Sequence, residues 1–259
     1  MRSSSNKKQA YSESAFTLIE ILVTVTIVAI LAALALPALQ RALQAGHTAE
    51  SMSNLRQLAA ANLAYAADHD GSFCPAQSPD NLLRWHGRRS SSGSPFDPTD
   101  GFLSPYLGRS RRVTTCPLFT DFVDTSASWE LGAGGYGYNS AYIGGSYHSY
   151  FRPERVSNIP RATTTIMFTT SAFPSGGEVQ EYAYTEPFRW IDPSGNLAGS
   201  LQPSTHFRAN GKALVAWCDG RVTAEAPNSS GLDSHMIGWF GPEAENGYWN
   251  PRRSYSHRP

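Results

Sequence analysis

The chain has 259 residues, enough for one substantial core with elaborations. Its 21 basic residues are balanced by 21 acidic ones, which removes any global electrostatic case for binding nucleic acid. The 41% hydrophobic content is ordinary in amount but uneven in distribution: one run near the N-terminus holds much of the aliphatic side chain, and the rest is rich in Gly, Pro, Ser, Tyr and Trp. Helical and β-like compositions occupying different parts of the chain predict an α+β fold over an alternating α/β one.

Residues 1–15 are polar and carry Arg2, Lys7 and Lys8. Phe16 to Leu36 follow as an apolar run interrupted only by Thr17, Glu20, Thr24 and Thr26. As a helix this run is about 30 Å long, the thickness of a bilayer's hydrocarbon core. The upstream basic residues would stay in the cytoplasm and send the C-terminal bulk outward. A plain signal anchor accounts for the charge and the length. So does a signal peptide removed after Ala33-Leu34-Ala35. Neither gives a reason for Glu20, because a carboxylate in an apolar membrane helix is costly and marks a function by default. The bland alternative is that Glu20 lies near the helix end and snorkels.

Past Pro37, where a helix would kink, Leu39, Leu43, Met52, Leu55, Ala59, Leu63 and Ala66 recur mainly at three- and four-residue intervals. This spacing predicts an amphipathic continuation over 38–70, ended by the turn chemistry of Asp68-His69-Asp70-Gly71. From Gly71 on, Gly/Pro/Ser clusters break the chain into short pieces, with strands expected at Ala162–Thr170, Val179–Tyr184 and Ala213–Cys218. Asp219-Gly220 after the last of these predicts a tight hairpin turn into Arg221-Val222-Thr223.

Several patterns in the 71–259 region imitate chemistry. Gly132, Gly134 and Gly137 satisfy GxGxxG, but no helical pattern follows to receive a pyrophosphate, so a turn-rich aromatic loop is expected. His206 and Asp219 have no nucleophile motif beside them, and no catalytic residue is assigned. The Arg88-Arg89, Arg111-Arg112 and Arg252-Arg253 pairs are short and read as solvated faces. Asp97, Asp100 and Asp219 are the acidic residues on which calcium would depend, but no dense Asp/Asn run supports it, and no cofactor is expected. Cys74, Cys116 and Cys218 lack zinc-ligand spacing. If an exported head forms one disulfide, Cys74–Cys116 is the expected pair, both lying in Cys-Pro contexts; Cys218, in an apolar run, is expected as a buried thiol.

Ala15-Phe16-Thr17-Leu18-Ile19-Glu20 and the apolar stretch after it resemble the N-terminal signal of type IV prepilins and type II secretion pseudopilins. The resemblance implies cleavage between Ala15 and Phe16 by a prepilin peptidase and N-methylation of Phe16. It makes Glu20 the carboxylate that meets the N-terminal amine of a neighbouring subunit, and Pro37 a helix kink. Ala15 departs from the family's usual Gly but keeps a small side chain. The implied organisation is a cytoplasmic leader at 1–15, a transmembrane helix at 16–37, its amphipathic continuation at 38–70, and a β-rich extracytoplasmic head at 71–259. The implied partners are the peptidase, like and unlike filament subunits and an inner-membrane assembly platform, with no nucleic acid. The implied location is the bacterial inner membrane, single-pass, with the head in the periplasm. A membrane-tethered binding module, for glycans for example, is the competing reading. Asn210 to Val222, with Asp219-Gly220, is similar to the H-x9-DG motif of a large group of prepilin-type proteins. The histidine position of that motif holds Ala209 here, and His206 is the nearest histidine.

Overall fold

The computed structural model describes residues 17–119, 130–145, 152–175, 177–191, 197–243 and 246–251. Its packing divides the chain into two units, Met1–Ala45 and Gly46–Pro259. One helix, α1 (Leu18–Asp68), belongs to both.

In the first unit α1 has no packed face. Every residue from Leu18 to Leu43 is exposed, including Leu34 at 70%. Two of the three threonines of the apolar run bond back into the helix itself. Thr24 Oγ1 donates to the Ile21 carbonyl at 2.9 Å and Thr26 Oγ1 to the Leu22 carbonyl at 2.7 Å. Hydroxyls bonded back into their own helix need no water, which suits a segment in an apolar medium. The helix continues through Pro37. This segment of α1 is long and apolar enough to cross a membrane. Leu39 and Leu43, expected in the buried stripe, are 56% and 54% exposed instead. They belong to a unit without a second layer, so periodicity alone gives them nothing to pack on.

In the second unit burial begins at Ser51 and follows one helix face through Asn54, Leu55, Leu58, Ala59, Ala61, Asn62 and Ala66. The helix ends where the turn chemistry predicts. Asp70 takes the left-handed conformation (φ 51°), and the Gly71 N–H reaches back to the Ala66 carbonyl at 2.8 Å, a Schellman-type stop.

Twelve strands occur among the described residues: β1 (Leu83–Arg84), β2 (Gly87–Arg88), β3 (Tyr136–Tyr138), β4 (Ile166–Thr170), β5 (Phe173–Ser175), β6 (Glu178–Gln180), β7 (Arg189–Ile191), β8 (Leu197–Ser200), β9 (Thr205–His206), β10 (Ala213–Trp217), β11 (Val222–Glu225) and β12 (Ile237–Gly238). The central sheet is antiparallel, in the order β11-β10-β4-β3, and four two-stranded pieces surround it. All five residues of β4 and all five of β10 are buried, so this sheet is covered on both faces.

The period-2 alternation of β10 divides the core in two. Leu214 and Ala216, with Cys218 just beyond the strand, join the large cluster that contains Leu55, Leu58 and Ala59 of α1. Ala213, Val215 and Trp217 face an aromatic cluster with Phe188, Phe207, Phe240 and Trp249. The β10–β11 hairpin turns at Asp219-Gly220 as the sequence predicts. Gly220 adopts φ 85° and its N–H bonds the Trp217 carbonyl at 2.9 Å. The strand expected over Ala162–Thr170 starts late, because Ala162–Thr164 is a 3-10 turn. The one expected over Val179–Tyr184 shortens to Glu178–Gln180.

The expected Cys74–Cys116 disulfide is not formed; all three cysteines are free and buried. The Cys116 sulfur lies 3.2 Å from Ser51 Oγ, whereas the Cys74 N–H donates to Asn62 Oδ1 at 2.9 Å. Ser51 and Asn62 stand on the same helix about 16 Å apart in rise. The two cysteines therefore dock on α1 three turns apart, too far for the span a disulfide tolerates.

Candidate functional site

Ala15 and Phe16, the predicted cleavage and methylation residues, lie outside the described residues. The structure begins to speak at Thr17. Thr17 donates its N–H and its hydroxyl to Glu20 Oε2, at 2.8 and 2.7 Å, and Thr17 Oγ1 accepts the Glu20 N–H at 3.3 Å. This is a reciprocal capping box on a helix that opens at Leu18. The Thr-x-x-Glu spacing before an apolar run is readable in the sequence, so Thr17 is a site residue the sequence argument passed over. The box explains how Glu20 can sit at the start of an apolar helix: one carboxylate oxygen is occupied by groups of its own chain. Oε1 makes no hydrogen bond among the described residues.

The sequence model of the prokaryotic N-terminal methylation motif matches residues 11–36. The chain carries a prepilin-type signal. With the apolar helix at the same place, this signal supports membrane anchoring and a coarse pilin- or pseudopilin-like role. No curated protein and no solved structure matches the chain.

In the head the glycine-rich loop does hold an anion, but the anion is the protein's own. Glu181, directly after β6, places Oε2 2.8, 3.0 and 3.1 Å from the backbone nitrogens of Gly132, Ala133 and Gly134. Successive N–H groups converge on one oxygen because Gly132 and Gly134 take φ of 120° and 65°, forming a nest. Gly137 serves a different need: a Cβ there would meet the Tyr184 carbonyl oxygen at 2.4 Å, where β3 is laid against residues 183–185. Burial pushes the Glu181 carboxyl above its ordinary value, against the pull of the three N–H groups and of Arg208.

Arg208 is buried beneath this loop. Its Nη2 donates to the carbonyls of Gly135 (2.9 Å) and Ser171 (2.7 Å), and its guanidinium lies 4.2 Å from the Phe119 ring centroid. Beside the nest is a cleft of about 520 Å³ lined by Ser110, Arg112, Thr114, Thr115, Gly132 and Glu181, among others. Nothing in the spacing of these residues announces it, since four separate segments, at Pro98, 110–115, 132–134 and Glu181, supply it.

The remaining predicted residues have local partners. Asp219 accepts the Arg221 N–H at 2.9 Å inside the β10–β11 turn, next to Gly220. His206, on β9, is fully buried, and burial reinforced by Arg208 pushes its imidazole down to about 2. Asp97 accepts the Thr99 N–H and hydroxyl, and Asp100 pairs with Arg88 at 2.6 Å. Among the described residues no three His, Cys, Asp or Glu side chains converge in a metal-binding group.

Proposed function

We propose that this chain is a structural subunit of a type II secretion pseudopilus or a type IV pilus-like filament. A prepilin peptidase cuts between Ala15 and Phe16 and the new terminus of Phe16 is methylated. The subunit waits in the bacterial inner membrane with its head in the periplasm, then polymerises through α1 at an assembly platform. The observation that carries this reading is the pairing of an exposed apolar helix segment, Leu18 to Leu43, with Glu20 inside the matched methylation motif. Such a helix is covered by lipid before assembly and by sister helices afterwards. Apolar packing in the bundle supplies association, and an ammonium meeting Glu20 offsets the desolvation each charge would suffer alone. The capping box adds register, because Oε2 is already spoken for and the incoming amine is directed to Oε1. The head is read as a non-catalytic domain of the H-x9-DG-like kind, with Asp219-Gly220 serving as its hairpin turn.

A membrane-tethered extracytoplasmic binding module is the second reading, and the cleft beside Glu181 is what favours it. Glu20→Leu separates the two. The variant should insert into the membrane at wild-type levels yet yield no sedimentable filament. Filaments from Glu20→Leu at wild-type yield would overturn the role given to Glu20, and a wild-type chain that inserts but yields no filament would overturn the polymerisation reading and leave the tethered module.

A further inference from the structure

We propose that the Asn210-Gly211 step is a self-modification site, deamidating slowly to aspartate and isoaspartate in the folded head, while the chain's other Asn-Gly step, Asn246-Gly247, is protected by its packing. This inference goes beyond filament formation and does not depend on it.

The chemistry is internal to the chain and consumes only water. The Gly211 backbone nitrogen gives its proton to base and attacks Asn210 Cγ. The Cγ–Nδ2 bond breaks, ammonia leaves with a proton, and a succinimide ring closes. Water then opens the ring. Breaking the new N–Cγ bond leaves aspartate; breaking the original peptide bond leaves isoaspartate, with the chain rerouted through the side chain. One water enters and one ammonia departs. Asparagine is thermolabile by this route, and a following glycine favours it because no side chain shields the attacking nitrogen.

The sequence makes the two steps equal, and the structure separates them. Asn210 and Gly211 are the central pair of a tight turn closed by Ala209 and Lys212. The Ala209 N–H donates to the Lys212 carbonyl at 3.0 Å and the Lys212 N–H to the Ala209 carbonyl at 3.1 Å. Asn210 and Gly211 take φ of 54° and 73°, the two positive values that a type I′ turn requires. Both are exposed. Among the described residues no hydrogen bond holds the Asn210 carboxamide or the Gly211 N–H. A Cβ built on Gly211 would meet nothing, so the space around the reacting atoms is open.

Asn246 is the opposite case at 2% exposure. Its Oδ1 accepts the Arg189 N–H at 2.8 Å, and its Nδ2 donates to Tyr142 Oη and to the Arg189 carbonyl, both at 2.6 Å. Gly247 is buried, and a Cβ there would collide with the Pro242 carbonyl oxygen. Attack on Asn246 Cγ must break three buried hydrogen bonds, so it waits for local opening of the fold. At Asn210 no such opening is needed. The aspartate product sets a carboxylate beside exposed Lys212, which the turn can tolerate. The isoaspartate product adds a methylene to a turn that leads straight into β10, where every residue is buried.

The test ages the full chain in detergent micelles at mildly alkaline pH, with a parallel sample in guanidinium. Chymotryptic peptides 208–214 and 241–248 are followed by mass spectrometry for the exchange of NH2 for OH, and isoaspartate is counted by enzymatic methylation. In the native protein peptide 208–214 should convert about tenfold or more faster than peptide 241–248, whereas in guanidinium the two should convert at similar rates. Equal native rates would overturn the proposal, and so would a native 208–214 peptide still unchanged when the denatured one has converted.

Discussion

Residues 18–43 and residues 51–251 solve opposite problems with opposite residues. The first stretch exposes large aliphatic side chains along its whole length and hides its few polar atoms inside its own hydrogen bonds. The second buries aromatic rings to completion, Trp85, Trp249, Tyr136, Tyr138 and Phe168 among them, and takes polar groups inward with them. Tyr138 Oη bonds the Cys74 carbonyl, Trp85 Nε1 bonds the Ala183 carbonyl, and Asn139 Nδ2 bonds two carbonyls at once. The difference shows where each part gets its order: the head, with the second half of α1, from its own core, whereas residues 18–43 have no core to draw on.

The largest effect that tests this contrast is a deletion in the head core. Trp85 sits in a buried two-residue hairpin turn between β1 and β2, with its ring against His86 and Phe168. Trp85→Ala should cost about 3–5 kcal/mol in denaturant unfolding, while membrane insertion of the helix is unchanged. A Trp85→Ala protein that also fails to insert would show that the two parts do not draw their order from separate sources.

A smaller effect is expected from acid. His86 is fully buried between Arg84 and Arg89, and burial first, then those two charges, hold its imidazole well below the ordinary 6.5. The unfolded chain therefore takes up a proton near pH 6.5 that the folded head refuses. Stability should be full above that pH and fall below it, by up to about 1.4 kcal/mol per pH unit. His86→Leu should lessen the slope in a pH series of thermal melts, with buried His206 carrying a like share; an unchanged slope would mean His86 contributes none of it.

The smallest effect is chemical silence. Burial pushes the Cys74 and Cys218 thiols upward, and Cys116 is sealed against Ser51. A thiol reagent should modify none of the three in the native protein and all three in denaturant. Fast native labelling of any one would show that its burial is not maintained in solution.

The helix and its end were legible in the sequence because their signals are local. An apolar run, a periodic stripe and the Asp70-Gly71 stop each act within a few residues. The β10–β11 hairpin was legible for the same reason, through Asp219-Gly220. Strand limits near Ala162 and Tyr184 were not, because a 3-10 turn and a short edge pairing are decided by tertiary neighbours. The disulfide expectation failed on a distance that only the helix rise reveals, with Ser51 and Asn62 holding the two cysteines apart. The glycine loop leads into β3, where no helical pattern was legible, yet its use as a nest depends on Glu181, far away in sequence. Thr17 was legible in principle, since Thr-x-x-Glu stands in plain view before the apolar run.

The most direct test of the central claim is the N-terminal mass of the mature protein, measured with and without the prepilin peptidase. The filament reading predicts a chain beginning at N-methyl-Phe16 that is lost when the peptidase is absent. A terminus at Leu36, from ordinary signal-peptide removal, would contradict it, and so would an intact Met1 in both strains.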